Sequence, residues 1–454
     1  MRHLRPLLLL SLTLAGAAVQ AETGDWTVKP EWVGAHEAFL ASDALQGRGS
    51  GTRDEAIAAA YIAAQFQSYG LKPAPGMAGY VQPAVIPQRR LNGPASLSWG
   101  EGKTAAELTV FLTTGQAASG RLVAASDDPG ALKALNAKEG DVLLAGGAAP
   151  AMAWFTAADK AGVKLVILRE SEGTRGLYAD MGGEPRLLRI NPAKPHVRPA
   201  LLSVPPALFD QLLAAQGQTL NFTPPAVIDA PLTTHNAIGY LAGSDPKAGT
   251  LLFTAHLDHL GVKPDGTIMH GANDDASGTV AVLELARALA AGRQPKRSIL
   301  FVCYGAEELG MLGAGYFAEH PPVPLHEIIA NLEFEMIGAQ DPKLPEKTLM
   351  MTGFDRSDFG EALKRQGFRV TADPYPEQHF FQRSDNYQLA LTGIVAHTVS
   401  GWAVTPTYHD PSDDLAHIDL PFMTAVIQSL IEPARWLANT DFVPKWKEGG
   451  KPSN

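Results

Sequence analysis

Cysteine is almost missing: the 454 residues contain one, Cys303. A single thiol forms no internal disulfide, so cross-links do not hold this fold. Cys303 lies in the apolar run SILFVCY, which reads as a strand that buries it as a small hydrophobe. Long apolar runs are missing too. The longest near the start, residues 7–14, falls well short of the roughly 20 residues that span a bilayer. With Arg2 and Arg5 before it and Val19-Gln20-Ala21 after it, this run reads as a secretory leader over residues 1–21. No cysteine stands near its end to carry a lipid. Basic residues are the minority, 37 against 47 acidic ones, which argues against non-specific nucleic-acid binding. No repeat or low-complexity tract occurs. These absences leave an exported protein without a membrane anchor after leader removal.

The hydrophobic fraction, 45%, is ample for a core, and a chain of this length implies about two or three domains. Residues 32–45 read as a short helix leading to the glycine-rich loop 46–51, which lacks the Gly-Lys-Ser/Thr ending of a phosphate loop. A second helix carries Ile57, Tyr61, Ile62 and Phe66 on one side and stops at Gly70. From 92 to 225 short strand-like pieces alternate with Gly/Ala/Pro turns, and no ligand-spaced cluster of His, Asp and Glu occurs. That block reads as an inserted, non-catalytic, β-rich domain. The catalytic domain would then be discontinuous, 22–91 plus 226–443, with 444–454 as a flexible polar tail.

After 236 strands and helices alternate: strand 251–255, helix 277–291, strand 299–304, helix 308–318, strand 327–336, helix 358–366, strand 393–399 and helix 420–437. This predicts an α/β domain with a mostly parallel central sheet and helices on both faces. Chemistry in such sheets gathers beyond the carboxyl ends of the strands. The first strand delivers His256, with Asp258 two residues on and Asp274 in the following loop. The second delivers Glu307 and Glu308, the third Glu335, and a late loop Tyr408-His409-Asp410. Imidazoles and carboxylates converging on one sheet edge suit a divalent metal. A carboxylate such as Glu335 at the end of an apolar run is costly to bury unless paired or metal-bound.

These motifs give the chain a resemblance to the M28 family of co-catalytic zinc peptidases. The matching stretches are Ala255-His256-Leu257-Asp258, Gly271 to Gly278 (GANDDASG), Ala306-Glu307-Glu308, Glu335-Met336-Ile337-Gly338 and Tyr408-His409-Asp410-Pro411-Ser412-Asp413. Residues 36–80, with Gly47-Arg48, resemble the family's N-terminal segment, and the middle block resembles a protease-associated domain. The resemblance implies the zinc-exopeptidase fold and two Zn²⁺. His256 and Glu335 would hold one ion, Glu308 and His409 the other, and Asp274 would bridge them through a cis peptide to Asp275. Relatives often carry Asp where this chain has Glu335. A metal-activated water would attack the peptide carbonyl with Glu307 as general base. Asp258 would fix the tautomer of His256 from its other ring nitrogen, and Tyr408 would donate to the oxyanion. His259, His270, His397 and His417 read as structural or surface histidines, and Ser384-Asp385 matches a family loop without an assignable role. The implied activity is an aminopeptidase acting on peptides. The alternatives are a carboxypeptidase or dipeptide-specific hydrolase with the same metals, and an inert peptide-binding protein.

Overall fold

The computed structural model describes residues 26–125, 128–130, 132, 140–146, 149–188 and 198–453; the leader-like segment 1–21 lies outside them. Two units emerge, one of Met1–Gln82, His235–Leu260 and Met269–Asn454, the other of Pro83–Thr234 and Gly261–Ile268.

An eight-stranded sheet underlies the first unit. Its strands are β1 (Val81–Ile86), β2 (Leu232–Leu241), β3 (Thr250–His256), β4 (Ser298–Tyr304), β5 (Ile328–Glu335), β6 (Leu349–Met351), β7 (Val370–Ala372) and β8 (Ala396–Ser400). They lie in the order β1-β2-β4-β3-β5-β8-β6-β7. β3 runs parallel to β4 and β5, and β5 runs parallel to β8. β2 and β6 pair antiparallel with β4 and β8. Every residue of β3 and β4 is buried, as a strand covered on both faces requires. On one face Phe253 stacks with Phe301 and Phe334 at 6.0 and 6.5 Å, in one core with helices α1 (Gly278–Ala290) and α2 (Leu420–Asn439). On the other, Leu300, Val302 and Tyr304 pack with Phe317 and Leu389. Cys303 is buried and free.

The second unit is built on a nine-stranded sheet, accompanied among the described residues by the helices Ala151–Ala161, Glu172–Asp180 and Pro206–Ala214. Its central strands pair in parallel: Ala118–Ala124 with Val142–Ala145, then Leu165–Arg169, then Ala200–Val204. The unit's edges also fall outside 92 and 225. Strands Arg89–Asn92 and Ala226–Asp229 pair with each other as a ribbon, so the connecting segments stay with the insert.

Two further expectations change. The helix expected from Glu308 begins at Leu312 (Leu312–Glu319), because 307–311 form a loop in which Gly310 and Met311 donate to the carbonyl of Glu307. The tail expected to be loose is packed instead. Lys445 N–H donates to Asp358 at 2.7 Å, and Trp446 Nε1 donates to the carbonyl of Gly393 at 3.0 Å. The Trp446 ring lies 5.3 Å from that of His397.

Candidate metal centre and active site

The parallel strands bring their carboxyl ends to one edge. His256 closes β3 opposite Tyr304 of β4, and Glu335 closes β5 opposite Ser400 of β8. Glu307 and Glu308 follow β4 directly. Between β3 and α1 the loop Ala272–Ser277 carries Asp274, joined to Asp275 by a cis peptide. Ala306, Met336 and His409 hold positive φ of 52°, 53° and 53°, a region L-residues enter at a cost and in which functional sites are over-represented. Gly278 begins α1 because a Cβ there would meet the Asp275 carboxylate at 2.5 Å.

Two donor groups share Asp274. His256, Asp274 and Glu335 form one; His259, Asp274 and Glu308 form the other. His256 Nε2 lies 3.2 Å from Asp274 Oδ1. His409 Nε2 lies 3.3 Å from Asp274 Oδ2 and 3.2 Å from Glu308 Oε2. His259 Nδ1 lies 2.8 Å from Glu308 Oε1 and 3.8 Å from Asp274 Oδ2. The expected residues thus meet at one place, and His259, expected to be structural, joins them. His270, His397 and His417 do not: they pair with Asp43, with Ser357 and the carbonyl of Thr352, and with Asp414.

A frame of carboxylates holds this arrangement. Asp275 accepts the backbone N–H groups of His256, Gly278 and Met336 at 3.2, 3.0 and 3.0 Å, tying β3, α1 and the end of β5 together. Asp413 accepts the N–H groups of Asn273 and Asp274 at 2.8 and 3.0 Å. Asn273 and Ser277 side chains accept from Gly338 and Ile337 at 2.8 and 2.9 Å. Asp258 departs from its expected contact. Its backbone carbonyl, not its carboxylate, is the 3.1 Å partner of His256 Nδ1; the nearer carboxylate oxygen is 3.6 Å away. The carboxylate instead accepts from Ser50 Oγ at 2.5 Å and from the N–H groups of Glu307 and Glu308 at 3.1 and 3.4 Å, so it sets the loop that carries them. Arg48 and Asp413 stand in matching stretches of the sequence without a role there, and His259 reads as structural. Only the second imidazole of His256-x-Asp258-His259 was a local signal.

Charge settles unevenly here. Burial raises the carboxyl of Asp274, but contacts with His256 and His409 outweigh it and hold that carboxyl below the usual range. Burial would lower His409, yet Asp274 and Glu308 push it up to about 10. Glu335 is pushed up to about 7 by burial, and burial also lifts Glu307 well above its ordinary value. His256 Nε2, His259 Nδ1, Asp274 Oδ2 and Glu308 Oε1 are buried without a hydrogen-bond partner. Orphaned buried polar atoms are expensive, and four of them converging fit a cation that would meet all of them. Mixed imidazole and carboxylate donors suit zinc. Glu307 belongs to neither donor group. Tyr408, 39% exposed, stacks on His409 at 3.9 Å. It lines a cavity beside Glu335 with Met336, Met350, Phe380 and Ala403.

Residues 236–432 match the model of peptidase family M28. Leupeptin-inactivating enzyme 1 of Streptomyces exfoliatus is 38% identical over 112 residues, 24% of each chain. Aminopeptidase YwaD of Bacillus subtilis (strain 168) is 29% identical over 193 residues, 41% of each chain. The chain thus spans less than half the length of these curated relatives. The solved aminopeptidase from Aneurinibacillus sp. strain AM-1 superposes with a TM-score of 0.57 at 21% identity, covering 91% of this chain and 94% of that one. BSAP, a zinc aminopeptidase from Bacillus subtilis, gives 0.56 at 22%, covering 91% and 96%. At these identities the likeness is one of fold. No helix among the described residues is long and apolar enough to cross a membrane.

Proposed function

The chain belongs to peptidase family M28 through residues 236–432, and from that premise we propose that it is an exported dizinc aminopeptidase releasing N-terminal residues from peptides. One observation carries the reading: two groups of metal donors share Asp274, while the adjacent Glu307 stays outside both. His256 and Glu335 would hold one ion and Glu308 and His409 the other, with Asp274 between. Bound zinc would supply Lewis acidity towards water and the scissile carbonyl.

This chain's own residues do the rest. Glu307, anchored through its N–H on Asp258, takes the proton of the attacking water and returns it to the leaving amine. The raised affinity of its carboxyl for protons suits that exchange. Tyr408, at the rim of the cavity, donates its hydroxyl to the developing oxyanion. The leader-like segment 1–21 supports export, and the second unit is read as a protease-associated-like insert.

Glu307→Gln tests the assignment. It should retain bound zinc and lose peptidase activity by roughly 10²–10⁴-fold, the usual contribution of a positioned base. Full activity in metal-replete variant protein would remove Glu307 from the mechanism. Peptides blocked at either terminus separate the aminopeptidase from a carboxypeptidase: N-blocking should abolish cleavage.

A further inference from the structure

His259 is fully buried, and neither of its ring nitrogens has a hydrogen-bond partner. Histidines held for structure in this chain keep at least one: His36 bonds to Tyr61, His270 to Asp43, and His397 to Ser357 and Thr352. The ring of His259 is nevertheless fixed. The residue's backbone N–H donates to the carbonyl of Arg48 at 3.2 Å, and its Cγ would lie 2.5 Å from any Cβ placed on Gly271, whose φ is +60°. Held this way, Nδ1 faces Glu308 Oε1 at 2.8 Å and Asp274 Oδ2 at 3.8 Å. His409 approaches the same two carboxylates at 3.2 and 3.3 Å. The two rings sit edge to face, 5.7 Å apart.

We propose that His259 is a direct ligand of the ion held by Glu308 and His409. That site then has two imidazoles and two carboxylates, whereas the site of His256 and Glu335 has one imidazole and two carboxylates. An extra neutral nitrogen donor strengthens a zinc site without adding negative charge. The Glu308–His409 site therefore fills first and releases its ion last. The proposal rests on the two-metal reading above, but its test does not depend on peptidase activity.

The experiment uses the full chain, stripped by chelator and reloaded with one equivalent of Zn²⁺ or Co²⁺. X-ray absorption of the one-equivalent zinc protein should count two imidazoles per ion, and His259→Ala should reduce that count to one. The variant should bind the first equivalent at least tenfold more weakly in competition with a chromophoric chelator, about the lower bound for losing even an outer-sphere partner. Its Co²⁺ absorption should also change in position. One imidazole per ion in the wild-type one-equivalent protein overturns the proposal, and that measurement needs no variant to fold. A weaker-binding His259→Ala with an unchanged Co²⁺ spectrum overturns it as well, since His259 would then only position Glu308. Protein that shows the two-imidazole signature but cleaves no peptide sinks the peptidase reading and leaves this one standing.

Discussion

The guanidinium of Arg48 is fully buried and donates to the carbonyls of Leu40, Leu257, His270 and Gly271 at 2.6 to 2.9 Å. Three of those carbonyls lie close in sequence to the candidate metal donors His256, His259 and Asp274, so one side chain fixes the path of both loops. Arg48→Met leaves these acceptors buried and unpaired, at about 1–3 kcal/mol each before relaxation. We expect at least about 3 kcal/mol lost in urea unfolding, with bound metal released more readily; a loss below about 1 kcal/mol would contradict the clamp. No local pattern in the sequence announced this role, because its partners lie as far as 223 residues away. His256, Glu308, Glu335 and His409 were legible for the opposite reason. Each is a polar donor at a strand end or in a motif, where the alternation of elements already fixed its place. The reach of a side chain was not legible: His259 turns inward because of Gly271, and Asp258 serves the following loop because Ser50 and two N–H groups claim its carboxylate.

Among the elements, β8 shows how a buried histidine ties stability to acidity. His397 sits in mid-strand, fully buried, with Nδ1 donating to the carbonyl of Thr352 at 2.9 Å and Nε2 accepting from Ser357 at 2.8 Å. Burial, with Arg356 nearby, lowers its pKa to about 4. The imidazole is neutral in the fold and becomes charged in the unfolded chain below about 6.5. Its contribution is present above that pH and is lost as the solution is acidified through about 4, some 3 kcal/mol in all. The measurable quantity is a difference. Between pH 7 and pH 4 wild type should lose about 3 kcal/mol relative to His397→Gln in unfolding of metal-stripped protein; parallel curves would refute the assignment. Strand and helix order was readable here from apolar periodicity. The packed C-terminal segment over this strand was not, since the polar composition of 444–453 conceals one anchoring ring, Trp446.

For the molecule as a whole, the discontinuous first unit has a consequence for protein engineering. Asn92 and Ala226 are register partners in an antiparallel ribbon of the second unit, so the chain enters and leaves the rest of that unit through adjacent strands. An Asn-Gly turn is the standard closure between two such strands. Excising 93–225 and splicing the cut ends with that dipeptide should give a shorter protein that still melts cooperatively and takes up zinc, because all the donors named above survive the cut. An unfolded product would mean that the excursion stabilises the rest of the chain. A folded one would give a shorter zinc-binding protein, with a ready-made socket for grafting foreign modules.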